Sequence, residues 1–302
     1  MRFTSQATYA LIVALLPLYV GCQTESNSAT NNESDATVET GQSEAAAGGA
    51  TVAEATPSSD QAILGNAAEW TTLKGRFVLD GTAPDAKALT INRDKELCTQ
   101  FNLKSEDLVV DENGGIADVF IWVTTSDVEI HPDLAEASGT VRLTNKDCRY
   151  APHGMVMRAG QTLELGNDDP VSHNVNLPFR ANNAFNQIVP PGESVTLSNL
   201  AKAERLPVKA ECNIHPWMSG HILIQEHPYA AVSGADGSFE IANLPAGDKL
   251  KFRVWHAAAG YLKEVSIDGK KQKWRRGQFE EKLEGAEVDL GDIEVKLKLF
   301  KL

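Results

Sequence analysis

The sequence predicts an all-β protein. Alternating apolar and polar residues recur from Trp70 onwards, as in residues 73–79, and this period is typical of strands. Short turn sequences separate the runs, for example at residues 167–170 and 190–192. The 302 residues include 23 Gly and 13 Pro, which favours turn-rich β structure over helix bundles.

The individual strands follow from the same alternation, and their number and spacing are typical of Greek-key sandwiches or barrels. Two short stretches, residues 132–137 and 201–205, are the only candidates for helical turns. The predicted strands lie at residues 73–79, 116–123, 141–143, 155–158, 162–165, 175–177, 195–197, 208–210, 221–224, 238–241, 249–255, 262–267 and 288–297.

Residues 1–22 have the pattern of an export signal. An apolar run at residues 10–20 follows Arg2, contains Pro17 and is too short to span a bilayer. The run ends in Gly21-Cys22, which resembles a bacterial lipoprotein cleavage site, although Tyr19 stands where that family usually has Leu. The resemblance implies that Cys22 carries a multi-chain lipid anchor; ordinary signal cleavage, with Cys22 left as a free thiol, is the alternative.

Residues 23–68 predict a disordered spacer. They are rich in Ser, Thr, Asn, Ala, Gly and Glu, and they contain no Lys, Arg or aromatic residue. Such a composition buries too little apolar surface to offset the entropy of ordering. Signal and spacer together predict an exported, periplasmic or cell-surface protein whose folded head is tethered to a membrane.

Composition and motifs also exclude several functions. The formal net charge of −13 disfavours nucleic acid as a partner, because phosphate neutralisation needs clustered cations. No His-x-His pair, Cys-x3-Cys, Cys-x-x-Cys-His, Gly-x-Ser-x-Gly or His-Glu-x-x-His pattern occurs. We therefore predict that the protein is not an enzyme.

Metal chemistry is predicted at two places. Cys212, His215 and Met218 follow one another at three-residue spacing in one short loop, and His173 stands at the start of an earlier strand. Two His, one Cys and a weak axial Met form the ligand set of blue-copper electron-transfer sites. The soft thiolate and thioether suit Cu(I), while the imidazoles tolerate Cu(II).

Residues 138–226 resemble plastocyanin and amicyanin, which are cupredoxins with one type 1 copper. The Cys-x-x-His-x-x-Met loop resembles the short amicyanin ligand loop, and His173-Asn174-Val175 resembles the region of the first ligand. The resemblance implies ligands at His173, Cys212, His215 and Met218, and a supporting role for Asn174 in tying its loop to the cysteine strand. It also implies a solvent-facing edge of His215 that passes electrons, with Trp217 widening that docking face.

Given these ligands, the remaining cysteines predict a disulfide. If Cys22 carries lipid and Cys212 binds copper, Cys98 and Cys148 remain as a pair in an oxidising compartment. Two separate buried thiols are the alternative. The histidines outside the family pattern are interpreted as structural: His131, His153, His221, His227 and His256.

The C-terminal part resembles a second family. An Asp236-Gly237 hairpin and the turn at residues 244–247 precede a long strand, as in carboxypeptidase regulatory-like, transthyretin-type β modules. We therefore predict one β-sandwich module split into residues 69–125 and 229–302, with the cupredoxin domain (126–228) inserted between its strands. The whole arrangement resembles cupredoxin-like proteins labelled methylamine utilisation proteins.

Two functions are compatible with these predictions. The first is single-electron transfer between protein partners, with no chemistry on a substrate. The second is a lipoprotein that stores, delivers or senses copper, or that serves only a structural or docking role. Zinc could occupy the same ligands, because affinity alone does not select the metal. The redox partner and the oligomeric state are not predicted.

Overall fold

The computed structural model describes residues 69–302 and confirms the all-β class. The predicted signal, the spacer and Cys22 lie outside the described residues. Within residues 69–302, no helix has the length and apolar character needed to cross a bilayer.

Residues 69–302 form nineteen strands, one helix and three 3-10 turns, numbered here in chain order. The strands are β1 (Trp70–Asp80), β2 (Phe120–Val123), β3 (Thr140–Lys146), β4 (Arg149–Ala151), β5 (Gly154–Arg158), β6 (Thr162–Asn167), β7 (His173–Leu177), β8 (Phe185–Val189), β9 (Ser194–Leu197), β10 (Val208–Glu211), β11 (Ser219–Gln225), β12 (Ala230–Val232), β13 (Ser238–Pro245), β14 (Lys249–His256), β15 (Gly260–Tyr261), β16 (Glu264–Ile267), β17 (Lys270–Lys273), β18 (Gln278–Lys282) and β19 (Glu287–Lys296). The helix is α1 (Lys95–Cys98), and the 3-10 turns are Thr99–Phe101, Pro132–Leu134 and Leu297–Leu299.

The middle of the chain forms a two-sheet sandwich, here called the inner sandwich. One sheet has the order β5-β11-β10-β7-β8, and the other has the order β4-β3-β6-β9. Side chains of both sheets meet in one apolar core, including Leu143, Leu165, Val175 and Ile222. Alternation along the strands produces this core: Val208 and Ala210 of β10 are buried, whereas Lys209 between them is exposed.

Strands from both ends of the chain form two further sheets, here called the outer sandwich. The first sheet has the order β13-β1-β19-β16-β17, and the second has the order β12-β2-β14-β15 with β18 paired to β14. Their common core contains Phe77, Tyr229, Phe252 and Ile293. The pairing of β1 and β2 with strands beyond residue 229 favours the predicted split module, whose boundaries at 125/126 and 228/229 stay predictions.

The structure differs from the predicted elements at several places. Strand β8 was not predicted, because its three central residues are exposed and break the alternation. Residues 201–205 contain no helix, whereas α1 is helical although four residues are too few to show a helical period. The predicted strand at 116–123 is regular only over Phe120–Val123.

Residues 88–104 form a folded-back segment before β2, here called the cover segment. The Leu89 N–H donates to the Leu103 carbonyl oxygen at 3.0 Å, which brings the two ends of the segment together. Cys98 and Cys148 are disulfide-bonded, with 5.6 Å between their Cα atoms. The disulfide and Leu103 form a small buried cluster, so the cover segment is attached to the turn between β3 and β4.

Candidate metal centre

The four predicted ligands come from one end of the inner sandwich. His173 is the first residue of β7, and Cys212 directly follows the last residue of β10. These two strands pair at Glu211 and Asn176, which places the histidine and the cysteine on neighbouring strands. The loop of residues 212–218 connects β10 to β11 and carries His215 and Met218.

Three of these side chains converge on one point. One potential ligand atom each from His173, Cys212 and His215 lies within 4.8 Å of the other two. The Cys212 Sγ is 3.6 Å from the His215 Nδ1, and the two imidazole centroids are 4.6 Å apart. Both histidines are completely buried, and Cys212 is 2% exposed.

Backbone hydrogen bonds close the ligand loop. The Met218 N–H donates to the His215 carbonyl oxygen at 2.9 Å, and the Cys212 N–H donates to the Met218 carbonyl oxygen at 3.4 Å. The Met218 side chain is 2% exposed and packs in the same core as Cys212. The loop therefore ties the Met218 backbone to Cys212 and His215, while the Met218 side chain is buried in the core.

Asp169 orients His173. The His173 Nε2 lies 2.8 Å from the Asp169 Oδ2, and because a carboxylate only accepts, Nε2 carries the hydrogen. The Nδ1 of the same ring is buried and has no hydrogen-bond partner among the described residues. Burial is the largest single influence and lowers the pKa of His173, but the hydrogen bonds and charges of Asp169 and Cys212 together outweigh it and the net shift is upward. An unpartnered Nδ1 in a buried site is what a metal ligand requires.

Asp94 orients His215 in the same way. The His215 Nε2 lies 2.7 Å from the Asp94 Oδ2, so its Nδ1 faces Cys212. This contact corrects the predicted solvent-facing edge of His215: the ring is 0% exposed because the cover segment lies over it. Trp217 is likewise not a free docking face, since it packs against the cluster of Cys98 and Cys148.

The surroundings of the Cys212 thiol favour the loss of its proton. Burial alone would raise its pKa, but contacts with His173 and His215 and the Asn174 N–H outweigh burial and lower the pKa to about 6. The Asn174 N–H lies 3.3 Å from the sulfur atom. A thiolate is therefore favoured at neutral pH, and the thiolate is the form that binds metals.

Asn174 connects three parts of the site. Its Oδ1 accepts from the Asn213 N–H at 3.2 Å, and its Nδ2 donates to the Gln187 carbonyl oxygen at 3.0 Å. The residue after Cys212 is thereby tied to β7 and β8. This is the geometry that the predicted supporting role of Asn174 requires.

Two supporting residues are missing from the sequence-based prediction. Asp169 lies four residues before His173 in a sequence that turn chemistry alone explains, although a carboxylate at that spacing is a detectable signal. Asp94 is 121 residues away from His215 in sequence, and no local pattern connects the two. The five histidines interpreted as structural do not belong to the metal-ligand group found within residues 69–302.

The residues present fit copper. Two imidazoles whose Nδ1 atoms carry no hydrogen, a thiolate and a thioether in the same core are the ligand types of a blue-copper site. Each histidine also has a carboxylate on its other nitrogen, an arrangement that fixes the tautomer of metal ligands. The buried cluster of His173, Cys212 and His215 is therefore a candidate copper centre.

Comparisons with known proteins give partial likenesses. No family model and no curated protein matches the sequence. Among solved structures, the chain is similar to the copper-containing nitrite reductase (NirK) from Thermus scotoductus SA-01, at 19% identity over 35% of this chain and only 25% of that chain, with a TM-score of 0.27.

Two smaller proteins are matched over nearly their full length. The purple cupredoxin from Nitrosopumilus maritimus is 20% identical over 28% of this chain and 98% of that chain, with a TM-score of 0.24. A mutant of amicyanin in its reduced Cu(I) form is 16% identical over 35% of this chain and 98% of that chain, with a TM-score of 0.26. At such low TM-scores these likenesses carry no argument about the site, which stands on its own geometry.

Proposed function

We propose that the protein binds one type 1 copper ion and transfers single electrons. The observation that carries this proposal is the convergence of His173, Cys212 and His215 within 4.8 Å, with each imidazole Nε2 held by a carboxylate, the His173 Nδ1 without a hydrogen-bond partner among the described residues and the His215 Nδ1 facing Cys212. Met218, buried in the same core as Cys212, is the proposed fourth ligand. These are the ligands that favour copper electron-transfer sites.

Copper bound here would supply a one-electron couple between Cu(II) and Cu(I). The chain's contribution is rigidity: Asp169, Asp94 and Asn174 hold ligands that come from two strands and one loop. Because the ligand side chains are buried and the three residues that hold them are hydrogen-bonded to them or to their loop, little needs to move when the charge of the site changes. Burial also excludes water, and with it a substrate, which supports a carrier rather than an enzyme.

The proposal includes a place in the cell. Residues 1–22 are proposed as a lipoprotein signal, Cys22 as the lipid-bearing residue and residues 23–68 as the spacer to the folded head. The protein would then act at the cell envelope, periplasmic or at the surface, and exchange electrons with a redox protein. Its acidic net charge supports a protein partner and not nucleic acid.

The test is a titration of the purified protein with Cu(II), followed by optical and EPR spectroscopy. The Cys212→Ser variant serves as the matched control, since a hydroxyl of similar size replaces the thiolate. We expect an intense visible thiolate-to-copper band and narrow copper hyperfine splitting in the unmodified protein, both absent in the variant.

Other spectra would support the second function. A colourless protein, or pale copper spectra that Cys212→Ser does not change, would refute electron transfer through this centre. The lipoprotein would then be a candidate for copper storage, delivery or sensing, or for a structural or docking role. Tight binding of zinc in preference to copper would also support the second function.

A further inference from the structure

The contact between Asp94 and His215 joins two parts of the chain that are far apart in sequence. His215 has its Nδ1 at 3.6 Å from the Cys212 sulfur and its Nε2 at 2.7 Å from the Asp94 carboxylate. The Asp94 side chain is 40% exposed, whereas the imidazole below it is fully buried. Asp94 is thus the polar group that separates the imidazole from solvent.

The disulfide holds Asp94 in this place. The Asp94 carbonyl oxygen accepts hydrogen bonds from the N–H groups of Leu97 and Cys98, at 3.1 and 2.9 Å. Asp94 has a φ of 40°, in the left-handed region that Asp adopts more readily than most non-glycine residues. Cys98 is bonded to Cys148 on the inner sandwich, so Asp94 is four residues from a covalent anchor.

The same anchor supports the other histidine. The Cys148 N–H donates to the Asp169 Oδ2 at 2.9 Å, and the same oxygen lies 2.8 Å from the His173 Nε2. The Trp217 Nε1 donates to the Cys148 carbonyl oxygen at 3.2 Å, which fixes the ligand loop to the same residue. The carboxylates that hold the two histidines are therefore both connected to the disulfide.

We propose that Asp94 is a positioning residue for His215, held over the metal centre by the disulfide-anchored cover segment. Asp94 fixes the His215 tautomer that carries hydrogen on Nε2 and shields the edge of the imidazole from solvent. It also favours the oxidised state of the bound copper. This inference rests on the proposed function and adds the residue that tunes the site. An electron partner would then reach His215 across the cover segment, by way of Asp94.

The direction of the effect follows from charge. The negative charge of a carboxylate on the far nitrogen stabilises Cu(II) more than Cu(I), because Cu(II) carries the larger positive charge. Removing the charge therefore raises the reduction potential. Because Asp94 is partly exposed and screened by water, we expect the equilibrium constant for reduction to change by up to about tenfold, which is about 59 mV for one electron.

The experiment compares three variants of the full chain. Asp94→Asn removes the charge and keeps an acceptor, and Asp94→Ala removes the contact. Glu96→Gln is the control, because Glu96 lies in the short helix α1 that directly follows Asp94, is exposed and forms no ion pair within residues 69–302. We measure the copper reduction potential, and in metal-free protein the hydrogen exchange of the His215 Nε2–H by NMR.

The two readouts separate the proposals. We expect a raised potential in both Asp94 variants, fast Nε2–H exchange in Asp94→Ala, and neither change in Glu96→Gln. Equal shifts in Glu96→Gln and Asp94→Asn, or slow exchange in Asp94→Ala, would overturn the positioning role. If the unmodified protein shows no blue-copper spectrum, the proposed function fails, and the exchange measurement on metal-free protein still decides whether Asp94 positions His215.

Discussion

The Tyr150 hydroxyl donates a hydrogen bond of 2.6 Å to the backbone carbonyl oxygen of Asn174. This bond crosses the inner sandwich, because Tyr150 belongs to β4 and Asn174 to β7 of the opposite sheet. Both residues are buried. The bond thereby connects the two sheets at Asn174, the residue whose N–H contacts the Cys212 sulfur.

Removing this hydroxyl should cost stability. Tyr150→Phe keeps the ring and leaves the buried carbonyl oxygen of Asn174 without this partner, a loss of about 1–3 kcal/mol in the free energy of unfolding. Urea unfolding of the metal-free protein measures it. Tyr261→Phe, in a half-buried position of the outer sandwich, is the control and should change stability little. A Tyr150→Phe protein as stable as the control would show that the bond contributes nothing.

Asp169→Asn should weaken metal binding. The amide keeps the size of the carboxylate but removes the charge that holds the His173 Nε2–H, and losses of this kind typically cost about 10–100-fold in metal affinity. Competition with a chromophoric copper chelator measures the affinity. Asp168→Asn is the matched control, because this neighbouring carboxylate pairs with Arg142 and not with a ligand. Equal losses in both variants would contradict a specific role of Asp169.

Acid should destabilise the protein through His221. Burial first, and then the nearby His153, Lys209 and His256, lower its pKa to about 3, while Asp118 opposes them. The folded state therefore keeps His221 neutral while the unfolded chain protonates below about pH 6.5. The contribution of His221 to the free energy of unfolding is therefore complete above this pH and is lost as the pH falls towards 3. The loss is on the order of 3 kcal/mol at pH 4.

The measurement is the free energy of unfolding at several pH values. His221→Gln, which does not titrate, should lose less stability between pH 7 and pH 4 than the unmodified protein. His153 acts in the opposite direction: burial lowers its pKa, but Asp118, with Glu106 and Asp107, outweighs burial and the net shift is upward. Its stabilisation is present at low pH and lost as the pH rises. Parallel pH profiles for the variant and the unmodified protein would refute the prediction for His221.

Removing the disulfide should destabilise the fold and open the metal centre. Cys98 and Cys148 are 50 residues apart, and closing a loop of this length stabilises by about 4 kcal/mol in the chain-entropy model. The double variant Cys98→Ala with Cys148→Ala should therefore unfold at lower denaturant concentration. It should also exchange the His215 Nε2–H faster, because Asp94 loses its anchor. Unchanged exchange in a folded double variant would show that the cover segment holds without the disulfide.

The candidate ligands could be identified from the sequence because most of them lie close together in the chain. Cys212, His215 and Met218 lie within seven residues of one another, and a short loop between two strands can only present them together. The all-β class was predictable for a similar reason, since alternation along each strand records which side chains face the core. Strand β8 was not predicted because its central residues all face solvent, so its sequence does not alternate between apolar and polar residues.

The surroundings of the ligands depended on the tertiary structure. Asp94 lies 121 residues before His215 and reaches it only because the cover segment folds back and is fixed by the disulfide. A hydrogen bond between residues so distant leaves no periodic or spacing signal, since its two ends are placed by different parts of the fold. The amino-acid sequence alone therefore determined the β class and the candidate ligands. Only the packing of the cover segment decided that His215 is buried, because burial is a property of the neighbours that a residue meets in space.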